Sequence, residues 1–168
     1  YQNGNQTYID QSSQTIEVER EGFSLRFYNQ KYNSENKKSY SAQIAAFMDK
    51  SELDKIKIGM SKSDLPCFEP GSGIAPDRSG KYETLIFNNS GHHYVPYENS
   101  ESKRLNLLEE ANGLVKLEFE IYGLYYDNQE IKMTDTELNE FYLAFLIDNN
   151  LNGIIDKGEL KKITIKIK

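Results

Sequence analysis

The segment from Asp148 to Glu159 carries the side chains best suited to chemistry. It reads DNNLNGIIDKGE, so short oxygen-bearing side chains recur at alternate positions from its start and a longer carboxylate closes it. A hard cation such as Ca²⁺ takes six to eight oxygen ligands at roughly 2.3–2.6 Å, and short side chains turned inward around a tight loop can supply them. Gly153 stands where such a loop needs a left-handed backbone. The spacing therefore predicts a calcium site.

The same twelve residues resemble the EF-hand calcium loop over its whole length. The resemblance implies one backbone carbonyl ligand, at Ile154, among five side-chain ligands. The implied ligand set is Asp148, Asn150, Asn152, Ile154, Asp156 and Glu159. The alternative is a hairpin turn at Asn152-Gly153 that is acidic by chance.

The residues on either side of this loop alternate with period two, which is typical of strands. Phe141–Ile147 precede the loop and residues 163–167 follow it, whereas a sensor EF-hand lies between two helices. We therefore expect an ion that holds two strands in register rather than a switch. Only Asp148, Asp156 and Glu159 bring charge, so we expect the weak affinity suited to calcium outside cells.

Period-two alternation also dominates the rest of the chain and predicts eight or nine short strands with no long helix. The expected fold is all-β: an antiparallel β-sandwich, immunoglobulin-like or similar, with the calcium loop between its last two strands. Residues 1–15 are predicted as a flexible polar lead-in and residues 16–168 as a single domain. The longest irregular stretch is residues 61–81.

Some local expectations are more specific. Strands at 16–18 and 23–27 are expected to pair as a hairpin, and further hairpin turns are expected at Asn112-Gly113 and Asp127-Asn128. Capping-box spacings predict single helical turns after Ser51 and over residues 135–139. Residues 55–60 and 91–97 are each expected to form a strand.

Composition excludes several partners. Lys and Arg total 20 against 26 Asp and Glu, for a net charge of −6, which argues against nucleic acid because phosphate binding needs concentrated positive charge. No stretch approaches the ~18 apolar residues of a transmembrane helix. A polar lead-in often follows a removed signal, so we expect an extracytoplasmic protein (periplasmic, surface-anchored or secreted), with room for a lipid anchor upstream of residue 1. The excess of Lys, Asn and Ile is typical of AT-rich bacterial genomes.

An enzymatic function is the weaker expectation. Cys67 is the only cysteine and excludes an internal disulfide, and His92 and His93 are the only histidines. A hydrolase using Cys67 and His92 remains an alternative, but no recognisable nucleophile motif surrounds either residue. We therefore expect a non-enzymatic protein.

Tyrosines suggest what such a protein could bind. The chain has 12 Tyr and 8 Phe but no Trp. Two groups of tyrosines fall near predicted turns: Tyr94 and Tyr97, and Tyr122, Tyr125 and Tyr126. Exposed tyrosines make good binding surfaces. The favoured function is an exported, calcium-stabilised protein that recognises another protein, of the immunity, inhibitor or surface-lipoprotein type. A carbohydrate-binding module that uses exposed tyrosines is the alternative.

Overall fold

The computed structural model describes residues 1–31, 35, 42–68, 85–87, 105–127 and 129–168. Several features of the sequence lie outside these residues: the strand expected at 91–97, both histidines, Tyr94, Tyr97 and most of the 61–81 stretch. The described residues form ten strands, one short helix and two 3-10 turns. In chain order they are β1 (Ser13–Val18), β2 (Phe23–Gln30), β3 (Ala42–Phe47), α1 (Lys50–Lys55), 3-10 turns at Lys62–Asp64 and Pro66–Phe68, β4 (Leu85–Phe87), β5 (Asn106–Ala111), β6 (Leu114–Ile121), β7 (Gly123–Tyr126), β8 (Gln129–Lys132), β9 (Glu140–Ile147) and β10 (Leu160–Ile167).

The strands form three sheets, which confirms the all-β, sandwich-like fold. Sheet I has the order β1-β10-β9-β3, sheet II the order β2-β6-β5, and sheet III the order β4-β7-β8. Strand pairs within them are antiparallel except for β1 and β10, which run parallel with Ser13 opposite Lys162 and Val18 opposite Ile167.

The main core lies between sheet I and sheet II. Phe23 of β2 packs against Phe141 of β9 with ring centroids 6.4 Å apart, and Phe27 meets Phe145 edge-on at 5.1 Å. Both pairs join a strand of sheet II to the centre of sheet I, so the two sheets face each other as the layers of a sandwich do.

Strand β9 is central and apolar on both faces, as its sequence predicts. Phe141 and Leu143 lie in the main core, whereas Tyr142, Ala144 and Leu146 face a second buried cluster on the other side of sheet I. That second cluster is closed by side chains from α1 and the turns after it: Leu53, Ile56, Leu65 and Phe68. Successive side chains of a strand point to opposite faces, which explains why one strand can serve two cores.

Two predicted hairpins are confirmed and one prediction is wrong. Strands β5 and β6 pair across Asn112-Gly113, where both residues have positive φ (53° and 76°), and β7 pairs with β8 across the second predicted turn. Strands β1 and β2, by contrast, belong to different sheets. Period-two alternation identifies a strand and its buried face, but it does not identify the neighbour, and here the turn after Val18 carries the chain from one layer to the other.

One further local expectation is confirmed in part and two are wrong. A helical turn does form after Ser51, but helix α1 begins at Lys50 and its cap is Asp49, whose carboxylate accepts the Ser51 N–H at 2.8 Å. The strand expected at 55–60 is an irregular connection, in which Ile56 is buried under sheet I. Residues 135–139 form no helical turn: the turn closed by the Asp135 and Thr136 N–H groups on the Lys132 carbonyl ends at Asp135, and residues 136–138 have no regular structure.

The first five residues make contacts that their polar composition does not suggest. The Gln2 side chain donates to the carbonyls of Glu19, Glu21 and Gly22 at 3.1 to 3.3 Å, and its own oxygen accepts the Glu19 N–H at 2.8 Å. These bonds join a side-chain amide to the backbone of a turn, so no apolar pattern signals them. Strand β1 also begins at Ser13, before the predicted domain start at residue 16.

Candidate metal centre

The twelve-residue loop joins two neighbouring strands of sheet I. It leaves β9 after Ile147 and enters β10 at Leu160, which lies opposite Leu146 in the antiparallel pair. The Ile147 N–H donates to the Glu159 carbonyl at 3.2 Å across its base. The loop is therefore an extended hairpin connection, and strands flank it as the sequence predicts.

Gly153 makes the sharp turn in the middle of the loop. Its φ is +78°, and a Cβ built there would meet no atom within 4 Å. The glycine is therefore required by backbone conformation and not by lack of space, since L side chains are strained at such φ values. Leu151 also adopts a positive φ of 59°.

Asp148 is buried at the start of the loop, with 4% of its surface exposed. Its Oδ1 accepts the Asn152 N–H at 3.2 Å, and its Oδ2 accepts the Gly153 N–H at 3.0 Å. The same Oδ2 lies 2.8 Å from Nζ of Lys62. Burial alone would raise the pKa of Asp148, but the bonds from Lys62 and Gly153 outweigh it and hold that pKa below its ordinary value.

Glu159 closes the other end of the loop and is 7% exposed. Its Oε1 accepts the Asn149 N–H at 2.7 Å, and its Oε2 accepts the Asp156 N–H at 2.9 Å. Both ends of the loop thus place a buried carboxylate on backbone N–H groups of the same loop. Each Glu159 oxygen accepts one of these bonds and keeps a further acceptor site, because a carboxylate offers about four.

The three remaining side chains bond to one another on the exposed side of the loop. Asn150 and Asn152 donate their amide N–H groups to Asp156 Oδ2 at 2.7 and 2.9 Å. Their carbonyl oxygens accept the backbone N–H groups of Asn152 and Ile154 at 3.0 and 2.7 Å. Charge on Asp156 is therefore partly balanced by amide dipoles.

The Ile154 carbonyl is oriented by the way the loop rests on the chain before it. Ser61 and Ile154 form an isolated β-bridge. Its two hydrogen bonds are made by their neighbours: the Lys62 N–H donates to the Gly153 carbonyl, and the Ile155 N–H donates to the Met60 carbonyl, both at 2.9 Å. Backbone groups alternate in direction along extended chain, so the Ile154 carbonyl points away from this bridge. Among the described residues, no hydrogen bond reaches that carbonyl oxygen.

The donor set fits calcium in kind and in order. It offers three carboxylates, two amide oxygens and the Ile154 carbonyl around a loop with a left-handed turn at its centre. As the described side chains stand, however, no three Asp, Glu, His or Cys residues converge in an arrangement that would hold a metal ion. Lys62 and the two asparagine amides instead supply the positive partners of Asp148 and Asp156.

The loop is also anchored in the second core. Ile155, the eighth residue of the loop, is fully buried in the cluster that contains Leu146 and Leu160. The Gly59 N–H donates to its carbonyl at 2.8 Å. The apolar eighth position therefore ties the loop to the sheet that it connects.

The residues of the two alternative functions fall in different places. Cys67 is half-buried at the edge of the second core, and His92 lies outside the described residues. Tyr126 is buried, 7% exposed, with its hydroxyl 3.0 Å from Thr136 Oγ1, so it is not one of the exposed tyrosines that the carbohydrate-binding alternative needs. Tyr125 is half-buried. The side chain of Tyr126 points inward because it alternates along β7 with Tyr125.

The structure shows a second concave feature that sequence reasoning missed. A cavity of about 480 Å³ lies between residues 1–9 and strand β2. Tyr8 and Tyr28 on its lining are 78% and 56% exposed, and the Arg26 guanidinium stacks 3.4 Å above the Tyr1 ring. The sequence signal for this cavity is the Tyr, Asn and Gln content of the first eight residues, which by composition alone predicts a flexible lead-in.

In the part of the chain that is described, no helix is long and apolar enough to cross a membrane. Neither a scan against protein-family models nor a search of curated proteins finds a match to this chain.

Proposed function

We propose that residues 148–159 bind one calcium ion, and that this ion stabilises a non-enzymatic binding protein. The ligands would be the carboxylates of Asp148, Asp156 and Glu159, the amide oxygens of Asn150 and Asn152, and the Ile154 carbonyl. The main support is the loop itself, in which two buried carboxylates accept backbone N–H groups around a left-handed glycine.

The role of the ion would be structural. The loop connects neighbouring strands of one sheet, and Ile155 is buried in the core beneath it. Helix reorientation of the sensor type has no element to act on here. A bound ion would instead add its binding free energy to the stability of the β9–β10 pair.

Titration calorimetry with calcium chloride tests this proposal, after exhaustive dialysis against a chelator. We expect one site per chain and a melting temperature that rises with calcium, because a ligand that binds only the folded state stabilises it by about 2.7 kcal/mol at 100 times its Kd. Glu159→Gln should abolish both effects. Asp10→Asn is the matched control, since it removes an exposed carboxylate outside the loop. No heat and no thermal shift in the unaltered protein would overturn the proposal.

We infer that the biological partner is another protein and that the two bind each other outside the cytoplasm. The support is a net charge of −6 together with three exposed leucines on the β5–β6 hairpin, Leu107, Leu108 and Leu114, which lie near Glu109 and Glu110. Exposed apolar side chains with acidic neighbours suit a basic protein surface. Identifying the products of neighbouring genes and measuring their binding by calorimetry tests this inference. Leu107→Ser with Leu108→Ser should weaken the binding at least tenfold.

Carbohydrate binding is the second candidate, and the cavity beside β2 favours it. Tyr8 and Tyr28 offer exposed rings, and Asn3, Asn5 and Gln6 supply side-chain amides nearby. Rings that stack on sugar faces and amides that bond to hydroxyls suit such a ligand. A glycan array probed with the protein tests it, and Tyr8→Ala or Tyr28→Ala should remove any specific signal. Tyr122→Ala, which changes a 40% exposed tyrosine outside the cavity, is the control; an equal loss with that variant would count against the cavity.

A further inference from the structure

Lys62 occupies an unusual position relative to the candidate calcium loop. It lies outside the loop in sequence, at the start of the 3-10 turn Lys62–Asp64, yet its Nζ is 2.8 Å from Asp148 Oδ2. Its side chain is 28% exposed, whereas that of Asp148 is 4% exposed. The pair is therefore a partly buried ion pair whose carboxylate is far less accessible to water than its ammonium.

The backbone holds Lys62 at this place. The Lys62 N–H donates to the Gly153 carbonyl at 2.9 Å, and Ser61 beside it forms the β-bridge with Ile154. Gly59 and Met60 add bonds to Ile155 on the same side. Since four consecutive residues are fixed to the loop, the ammonium is tethered beside the first ligand position and its local concentration there is high.

A tethered ammonium and a calcium ion need the same carboxylate. Asp148 already accepts two backbone N–H groups from the loop, so its Oδ2 has little capacity left for two further cations. Two positive charges a few ångströms apart also repel each other strongly in a partly buried site. Binding of the ion therefore requires the Lys62 ammonium to move away from Asp148.

We propose that Lys62 is a built-in competitor for the calcium site, which lowers its calcium affinity and keeps Asp148 paired when calcium is absent. This inference rests on the proposed calcium function and adds a means of regulating the same site. The exchange consists of one ammonium leaving the carboxylate as one divalent cation arrives. The residue would set the calcium concentration at which the loop fills.

Replacing the charge tests the competition. Lys62→Met keeps most of the side-chain length but removes the ammonium, and we expect its calcium affinity by titration calorimetry to be at least tenfold tighter than that of the unaltered protein. Lys62→Arg keeps a cation beside Asp148 and should stay within about threefold of it. Lys57→Met is the matched control, because Lys57 is an exposed lysine of the same segment and makes no ion pair with Asp148.

The melting temperature provides a readout independent of calcium affinity. In chelator, Lys62→Met should melt at a lower temperature than Lys57→Met, because Asp148 keeps its burial and loses its cation. In saturating calcium, the two variants should melt at similar temperatures. The rise on adding calcium should therefore be larger for Lys62→Met.

The outcomes separate the two proposals. If the unaltered protein binds calcium and Lys62→Met binds it equally or more weakly, the competition is wrong and the calcium site stands. If neither protein binds calcium, both proposals fail. If only Lys62→Met binds, the competition is supported and calcium binding by the unaltered chain is refuted. An increase of equal size in Lys57→Met would assign the effect to general charge and would also overturn the competition.

Discussion

The hydroxyl of Tyr126 lies 3.0 Å from Oγ1 of Thr136, and both side chains are buried. This bond links the end of β7 to the turn that leads into β9. The same Thr136 oxygen accepts the Leu138 N–H at 3.2 Å. The Thr136 side chain therefore joins sheet III, which contains β7, to the segment that leads into β9 of sheet I.

Removing the Tyr126 hydroxyl should destabilise the protein modestly. Tyr126→Phe keeps the ring in the core and leaves Thr136 with one partner, so we expect a loss of about 1 kcal/mol in the free energy of unfolding, measured by urea denaturation. Thr136→Val should cost at least as much. The double variant should cost less than the sum, and strict additivity would show that the two groups do not interact.

Arg20 should contribute more to stability than the exposed ion pairs do. Its guanidinium donates to the Thr136 carbonyl, to the Leu138 carbonyl at 3.2 Å and to Asn139 Oδ1 at 3.3 Å, so it joins the turn after β1 to the entry of β9. We expect Arg20→Ala to lower the free energy of unfolding by about 1–3 kcal/mol. Arg20→Lys should lower it by less than alanine does but should not match arginine, because an ammonium lacks the planar arrangement of donors in a guanidinium.

The comparison for Arg20 is Lys31, whose ion pair with Glu110 joins two exposed side chains at 2.5 Å. Such pairs contribute roughly 0–1 kcal/mol. The midpoint of urea unfolding measures both changes. Equal losses for Arg20→Ala and Lys31→Ala would contradict the role assigned to the guanidinium.

Stability at alkaline pH should depend on Tyr142. Its hydroxyl donates to the Glu140 carboxylate, and this bond, with burial and the negative charge of Glu140, raises the pKa of Tyr142 to about 12. A tyrosine ionises near pH 10 in the unfolded chain. Because the folded pKa is the higher one, its stabilising contribution is complete below about pH 10 and is lost as the pH rises toward about 12.

Melting temperatures between pH 8 and 12 test this dependence. Tyr142→Phe should melt below the unaltered protein at pH 8, and the gap should close as the pH passes from about 10 to about 12. Tyr28→Phe is the control, because Tyr28 is 56% exposed. A gap for Tyr142→Phe that stays constant over this range would refute the assignment.

Gly153 should be sensitive to substitution through its backbone alone. A Cβ there meets no atom within 4 Å, so Gly153→Ala introduces no clash and its cost reports the positive φ of 78°. We expect about 1–2 kcal/mol for alanine and a smaller loss for asparagine, which enters the left-handed region more readily. Thermal unfolding in chelator measures both variants. An alanine variant as stable as the original would show that the loop can turn without a left-handed residue.

The sequence predicts faces of strands well and their neighbours poorly. In β9 both sets of alternate positions are apolar, and this correctly predicts a central strand with two buried faces. The parallel partner of β1 could not be predicted, since Ile16 and Val18 show the same alternation whichever strand lies beside them. The burial of Tyr126 could not be predicted either. It is the last residue of β7, where the sequence does not show which face of the sheet its side chain takes, and its buried partner Thr136 lies beyond the following strand.

The candidate calcium site likewise has features that the sequence predicts and one contact that it does not predict. The order of donors from Asp148 to Glu159 and the left-handed turn at Gly153 follow from local spacing, and the backbone adopts that turn. The contact between Asp148 and Lys62 depends on how the segment before the second core folds back on the loop. No local pattern around Lys62 distinguishes it from the other lysines of that segment, so only the three-dimensional structure identifies it.

The parallel pairing of β1 with β10 has a mechanical consequence. Ser13 enters the pair at the end where Lys162 lies, and the chain leaves β10 near Ile167 at the opposite end. Tension applied to the chain before β1 and after β10 therefore shears the pair lengthwise, so its hydrogen bonds bear the load together and do not open one after another. A protein tethered at one end and pulled by a partner at the other would resist through this pair of strands.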